Sequence, residues 1–334
     1  MSTSFLAPTE ELQGPMTAII AEIVEVEKVL SEKICSDVEL VANVGSHTLR
    51  AGGKRLRPAL VVIAARATGL AFDPVRAREL GACMEMIHMA TLIHDDVVDH
   101  AATRRGASTA SAVFGNTASI LAGDVLLAKA MCILAQDGDL RIIRRVSQAV
   151  VDLAQGEVRE LESRGEFGLT EDEHLQILRM KTATFIQCCC EVGALIAKAP
   201  PHVVDSLGRY GYAIGMAFQL VDDLLDYQGD QSATGKPFAT DFREGCATLP
   251  LIHLRATLTE AEEERVRRWF GNGATEKDLR SLVSLMHDRG AFQAARKAAE
   301  DQVAEAIGAA DGLPQSADRK LLQAVAEFIL SRNS

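Results

Sequence analysis

Asp95-Asp96-Val97-Val98-Asp99 and Asp222-Asp223-Leu224-Leu225-Asp226 are two copies of one acidic pattern, far apart in the chain and each set among apolar residues of helical character. Three carboxylates within about one helical turn repel one another. Beside Leu92, Ile93, Val97 and Val98 they cannot all be well solvated, so a positive partner is required. On a helix, residues i and i+4 share a face, so Asp95 with Asp99, and Asp222 with Asp226, each aim two carboxylates into one space. A small number of hard oxygen ligands suits Mg²⁺, which is typically completed by waters and substrate phosphates. Two such faces opposed across a cavity would clamp a diphosphate.

Working outward, the 334 residues carry 35 Lys+Arg against 46 Asp+Glu, a net charge of −11. This argues against nucleic acid or an anionic membrane as the main partner. The opening MSTSFLAPTEELQG lacks the basic flank and apolar core of a signal peptide. No run reaches the roughly 18 apolar residues of a membrane span, so a cytoplasmic protein without a transmembrane segment is expected. The seven cysteines show no zinc-like spacing. Cys188-Cys189-Cys190 reads as small apolar packing, because helix neighbours point about 100° apart.

Alanine, leucine and charged residues dominate, aromatics are 4%, and sustained period-two alternation is hard to find. The reading is an all-α chain, one large helical bundle with a central cavity, residues 1–334 forming a single domain. Val61-Val62-Ile63 is read as the middle of a buried helix. Breaks fall at Gly52-Gly53, Asp73-Pro74, Gly165 to Gly168, Pro200-Pro201, Gly229 through Pro237, Gly271-Asn272-Gly273 and Gly312-Leu313-Pro314. Thr170 with Glu173, and Thr259 with Glu262, have the spacing of capping boxes at helix starts.

Further motifs flank the acidic pair. Gly52-Gly53-Lys54-Arg55-Leu56-Arg57-Pro58 stands upstream, and Glu85 through Asp99 includes His88 and His94. Downstream come Thr103-Arg104-Arg105-Gly106, Lys181-Thr182, Phe218-Gln219 and Gly235-Lys236. In order and spacing, from Gly52 to Pro250, this set resembles the trans-isoprenyl diphosphate synthase family, most closely its long-chain octaprenyl and heptaprenyl types. The resemblance implies the isoprenoid synthase fold, a homodimer, and condensation of isopentenyl diphosphate with an allylic diphosphate, farnesyl or geranylgeranyl. It also implies Mg²⁺, three ions with substrate bound.

Under that resemblance Asp95, Asp99 and Asp222 are the principal metal ligands, with Asp96, Asp223 and Asp226 assisting directly or through water. Lys54, Arg57, His88 and Arg105 fall at the isopentenyl diphosphate pocket, and Arg104, Lys181 and Lys236 at the allylic diphosphate. Thr182 and Gln219 face the allylic cation as neutral dipoles. His94 and His100 are supporting or surface residues.

Two departures stand out. Where the family usually reads Gly-Lys-x-Thr, this chain has Gly245-Cys246-Ala247-Thr248, so one diphosphate-binding lysine is missing; Ala239 replaces a usual glycine. On the helix before Asp95, Ala90 and Thr91 are small, and Met86, Ile87 and Cys83 continue the apolar lining without an aromatic plug. A long product, of the kind used for quinone side chains, is therefore expected. A geranylgeranyl or farnesyl synthase, a terpene cyclase of the same fold and a partner-dependent subunit of a heteromeric synthase are the alternatives.

Overall fold

The structure, a computed structural model, describes residues 10–228, 238–271 and 273–332. The long helices are α1 (Glu10–Ile34), α2 (Glu39–Arg50), α3 (Leu56–Ala67), α4 (Pro74–Val98), then, after the short α5 (Ala110–Phe114), α6 (Asn116–Asp137) and α7 (Leu140–Ser163). They continue as α8 (Glu171–Leu178), α9 (Thr184–Ile196), α10 (Pro201–Gln228), the short α11 (Thr240–Glu244) and α12 (Leu249–Arg255). The chain closes with α13 (Glu260–Trp269), α14 (Glu276–Asp288), α15 (Ala291–Ala310) and α16 (Ala317–Leu330). Val61-Val62-Ile63 lies inside α3, as its helical neighbours require.

Local chemistry starts these helices where the sequence places the starts. Asp73 Oδ1 accepts from the Val75 amide at 2.9 Å with Pro74 at the first helical position of α4. The capping boxes at Thr170 and Thr259 both form, and Thr275 with Asp278 makes a third. An unforeseen element is a two-residue hairpin, β1 (Thr103–Arg104) against β2 (Ala107–Ser108). Its central residues Arg105 and Gly106 have φ of 53° and 77°, the left-handed pair that tight hairpin turns demand.

α10 is the spine of the bundle, packed against α9 and α15, while α4 lies on α6 and α3, and α3 on α9. Tyr210, Phe185, Phe242, Leu30 and Leu60 are fully buried, and the Tyr210 hydroxyl donates to the Leu322 carbonyl at 2.8 Å, pinning α10 to α16. Cys188, Cys189 and Cys190 are all buried in this core as free thiols. α6 is long and apolar enough to cross a membrane by length and composition, although Asp124 and Lys129 interrupt its apolar run. Only 39% of that window is buried. Ile120 and Leu121 on α6, with Val113 on α5 and Val151, Val158 and Leu161 on α7, are exposed.

The packing places both acidic motifs at corresponding points. Asp95–Asp99 ends α4 and Asp222–Asp226 falls in the last turns of α10. Helix C-termini carry partial negative charge, which sharpens the demand for cations there.

Candidate active site

Each carboxylate of the first motif has a different environment. Asp95 is pushed up to about 7, by burial first and then by the neighbouring Glu157 charge, against the pull of Lys181 and Arg104. Asp96 is turned inward, 5% exposed, and accepts from Arg104 Nε at 2.6 Å. Asp99, at the end of α4, accepts from Arg164 Nη2 at 2.7 Å. The reading from sequence grouped Asp96 with the metal-assisting carboxylates and Arg104 with the allylic diphosphate; here the two bond each other, which aims the hairpin.

The second motif repeats this division. Asp222 pairs with Arg332 Nη1 at 2.8 Å, and the Arg332 guanidinium lies 4.2 Å from the centre of the Phe218 ring. Asp223 is buried and bonded to His174 Nε2 of α8 at 2.8 Å. Asp226 accepts from the Thr240 amide at 3.1 Å and the Asp241 amide at 3.0 Å, capping α11. Ala239, at the start of that cap, has φ of 51°, a left-handed conformation that favours glycine. That is the physical content of the glycine expected there.

Lys181 and Thr182 lie on a π-helical turn, Arg179–Ala183, between α8 and α9. The wider turn brings its backbone against α7: a methyl group on Gly156 would stand 2.8 Å from the Lys181 amide nitrogen. Lys181 Nζ meets Glu160 at 2.7 Å and Glu157 at 3.1 Å, both on α7. Burial works against its charge, but the two glutamates outweigh it and hold the ammonium above its usual range. Thr182 and Gln219 are half-buried nearby in sequence and fold.

The Gly52–Arg57 segment forms the basic side. Arg55, 7% exposed, points inward and donates to Glu27 at 3.0 Å, Glu85 at 2.9 Å and the Leu49 carbonyl at 3.0 Å. Arg57 stays half-buried over the Phe185 ring at 5.7 Å, and its Nε is buried without a hydrogen-bond partner. Arg105 donates to the Gly52 carbonyl. It crosses so close to Gly53 that a methyl there would lie 2.7 Å from its guanidinium, while Gly52 sits at φ of 78°. His88 is kept neutral, well below the ordinary imidazole range, by burial and by Arg57, Arg105, Arg104 and Arg55. Lys54 is exposed; partial burial and Arg332 lower its pKa, against the pull of Asp222.

These charges join the two motifs into one neighbourhood along two routes. Lys54 senses both Asp222 and Arg105, which in turn senses Asp96. On the other side, Glu160 acts on Lys181 and on Asp241, whose carboxyl is pushed above its usual range by burial first and then by Asp226 and Asp223. Among the described residues no three carboxylate, imidazole or thiol groups form a ready-made metal cage. Magnesium, bound through one or two carboxylates plus substrate phosphates, fits such a donor set. Lys236 lies outside the described residues.

Sequence reading missed Arg332, Glu157, Glu160, Arg164, His174 and Asp241. Glu157 and Glu160 had a signal, standing one helical turn apart after a glycine. Arg332 had none, because only the fold returns the C-terminus to α10. On α4, Ala90 and Met86 are buried, and the Thr91 hydroxyl turns back to the His88 carbonyl at 2.8 Å.

Comparison with known proteins identifies the family. The chain is 35% identical over 308 residues to an octaprenyl diphosphate synthase of Escherichia coli, covering 92% of this chain and 95% of that one. Its fold matches the crystal structure of a decaprenyl diphosphate synthase from Rhodobacter capsulatus with a TM-score of 0.90 at 36% identity, over 98% of this chain and all of the other. A polyprenyl synthase from Caulobacter crescentus CB15, solved with calcium and isoprenyl diphosphate, matches with a TM-score of 0.90 at 34% identity over 98% and 100% of the two chains. A family model described as polyprenyl synthetase matches residues 38–286. The chain belongs to the polyprenyl synthetase family, the trans-acting prenyltransferases that build polyprenyl diphosphates.

Proposed function

We propose that this protein is a Mg²⁺-dependent synthase that condenses isopentenyl diphosphate with farnesyl or geranylgeranyl diphosphate to give a long all-trans polyprenyl diphosphate. The observation that carries this reading is the pair of acidic helix ends, on α4 and α10, linked by neighbouring charges that run from Asp222 through Lys54 and Arg105 to Asp96. Residues 1–334 act in it as one helical domain.

The slow step is heterolysis of the allylic carbon–oxygen bond, so charge growing on the leaving diphosphate must be neutralised away from water. Asp95, Asp99 and Asp222 would hold Mg²⁺, which supplies Lewis-acid stabilisation of that diphosphate. Lys181 and Arg104, with Lys236, add positive charge at the same anion. Arg57, with its unsatisfied Nε, Lys54, Arg105 and neutral His88 hold the isopentenyl diphosphate. Preorganised donors of this kind contribute about 10²- to 10³-fold each to rate. Thr182 and Gln219 face the allylic cation without capturing it, and the released pyrophosphate takes the final proton.

Asp96, Asp223 and Asp226 serve this site from behind, through Arg104, His174 and the α11 amides. The absence of an aromatic side chain at Cys83, Met86, Ile87, Ala90 and Thr91 supports a long product. Ala90 lies about 7.5 Å along the helix from Asp95. A product of roughly thirty to fifty carbons would suit a quinone side chain. A homodimer in the cytoplasm belongs to the same proposal; the exposed apolar side chains on α5, α6 and α7 support the dimer, with that face covered by the second copy.

The test is incubation of purified protein with isopentenyl diphosphate and each allylic primer, with Mg²⁺ or with EDTA, followed by chromatography of the dephosphorylated products. Metal-dependent long chains are expected. A fifteen- or twenty-carbon end point would overturn the long-chain reading, and inactivity with every primer would overturn the whole.

A further inference from the structure

Cys246 stands where the resemblance implies a lysine. Its backbone amide donates to the Asp241 carbonyl at 2.8 Å; burial first, and then the charges of Glu160, Asp241 and Glu244 against that of Arg164, push its thiol up to about 12, so it carries no charge. An acidic neighbourhood with a neutral side chain at its centre calls for a cation from elsewhere.

Arg164 is delivered there by the backbone. It caps the C-terminal end of α7, and the next residue, Gly165, donates its amide to the Gly245 carbonyl at 2.8 Å. The two loops touch so closely that a methyl on Gly245 would lie 3.0 Å from the Gly165 nitrogen. The guanidinium then reaches Asp99 Oδ1 at 2.7 Å, while its Nε is buried without a partner. A planar fork with five donors is being used at one of them, which is costly for a buried donor and leaves the rest available to an anion.

Asp99 is also one of the carboxylates assigned above to Mg²⁺. Guanidinium and metal therefore compete for the same oxygens.

We propose that Arg164 is a binding residue for the allylic diphosphate, filling the place that Cys246 leaves without a cation. Its bond to Asp99 is a resting position, given up when a divalent ion takes that carboxylate. This inference rests on the condensation reading proposed above. It commits the same side chain to opposite effects on metal and on anion, which a purely structural arginine would not show.

The experiment compares full-length wild type with Arg164→Gln, which keeps the length and polarity but not the charge. Binding of Mn²⁺ alone, followed by electron paramagnetic resonance, should tighten several-fold in the variant, because Asp99 loses a competitor. Binding of inorganic pyrophosphate in the presence of Mg²⁺, followed by calorimetry, should weaken about tenfold, the size of a lost charged hydrogen bond. The KM for the allylic substrate should rise with it while that for isopentenyl diphosphate stays. Adding Cys246→Lys to Arg164→Gln should restore pyrophosphate binding, whereas Cys246→Ser should not.

Unchanged pyrophosphate and Mn²⁺ affinities in a folded Arg164→Gln protein would overturn the proposal, as would failure of the lysine to restore affinity in a double variant with wild-type thermal stability. If wild type itself makes no product, the condensation reading fails. If wild type is active and only these shifts are missing, the inference about Arg164 fails alone.

Discussion

Replacing Gly156 by alanine probes how closely α7 must approach the π-turn that carries Lys181. The added methyl would lie 2.8 Å from the Lys181 nitrogen, 2.9 Å from its Cγ and 2.9 Å from Met180 Cβ, against the 3.4 Å at which ordinary contact begins. The helix and the turn must therefore separate by about 0.6 Å. Alanine gains about 1 kcal/mol of helix propensity and overpacking costs about 1–3 kcal/mol. The net loss of stability is about 0–2 kcal/mol, a fall in Tm of only a few degrees.

Activity should suffer more, because Lys181 is held by Glu157 and Glu160 within the next turn of α7, at 3.1 and 2.7 Å. Displacements of this size in a positioned group cost about 10- to 100-fold in rate. Incorporation of labelled isopentenyl diphosphate measures kcat/KM, with the folded fraction fixed by circular dichroism. Gly308→Ala on α15, where nothing lies within 4 Å of the new methyl, is the control. It should gain about 0.5–1 kcal/mol and leave activity untouched. Wild-type kcat/KM in Gly156→Ala, or a loss no larger than its unfolded fraction, would refute the argument.

Arg55→Ala should destabilise by about 3–5 kcal/mol in urea titration, because it strands the Glu85 carboxylate, 3% exposed, without its partner; a loss under about 1 kcal/mol would show that water replaces the pair. His88 is neutral in the fold, with its pKa depressed by burial and by four arginines. Below about pH 6.5 the unfolded chain therefore binds a proton that the native state refuses, and stability falls on acidification by up to about 1.4 kcal/mol per pH unit. His88→Gln should remove that component of the slope between pH 7 and pH 5, and equal slopes in the two proteins would show that the imidazole titrates freely. Ala90→Phe should shorten the product by several isoprene units; an unaltered product distribution would move the limiting wall away from α4.

Much of the outline is legible along the chain because it depends on local chemistry. The periodicity of α3, the Asp73-Pro74 start of α4 and the capping boxes at Thr170 and Thr259 are settled by residues within a turn of one another. The two acidic motifs are legible for the same reason, since i and i+4 share a face wherever a helix forms. The hairpin at Arg105-Gly106 was harder to see. Arginine disfavours a positive φ, and its bond to the Gly52 carbonyl, 53 residues away, helps to hold it there.

What divides the three aspartates of one motif into different roles is not written in their spacing. Asp95 and Asp96 are chemically identical neighbours; α7 brings Glu157 to one and the hairpin brings Arg104 to the other. Asp223 owes its environment to α8, Asp222 to the far C-terminus, and Arg164 its place beside Cys246 to one hydrogen bond between loops. Amino-acid order alone determined the helices, the paired carboxylates and the class of chemistry they suit, because helix geometry and charge act over a few residues. Only tertiary packing decided which cation meets which carboxylate and which side chains are starved of water, because burial and Coulomb interactions depend on distance in space.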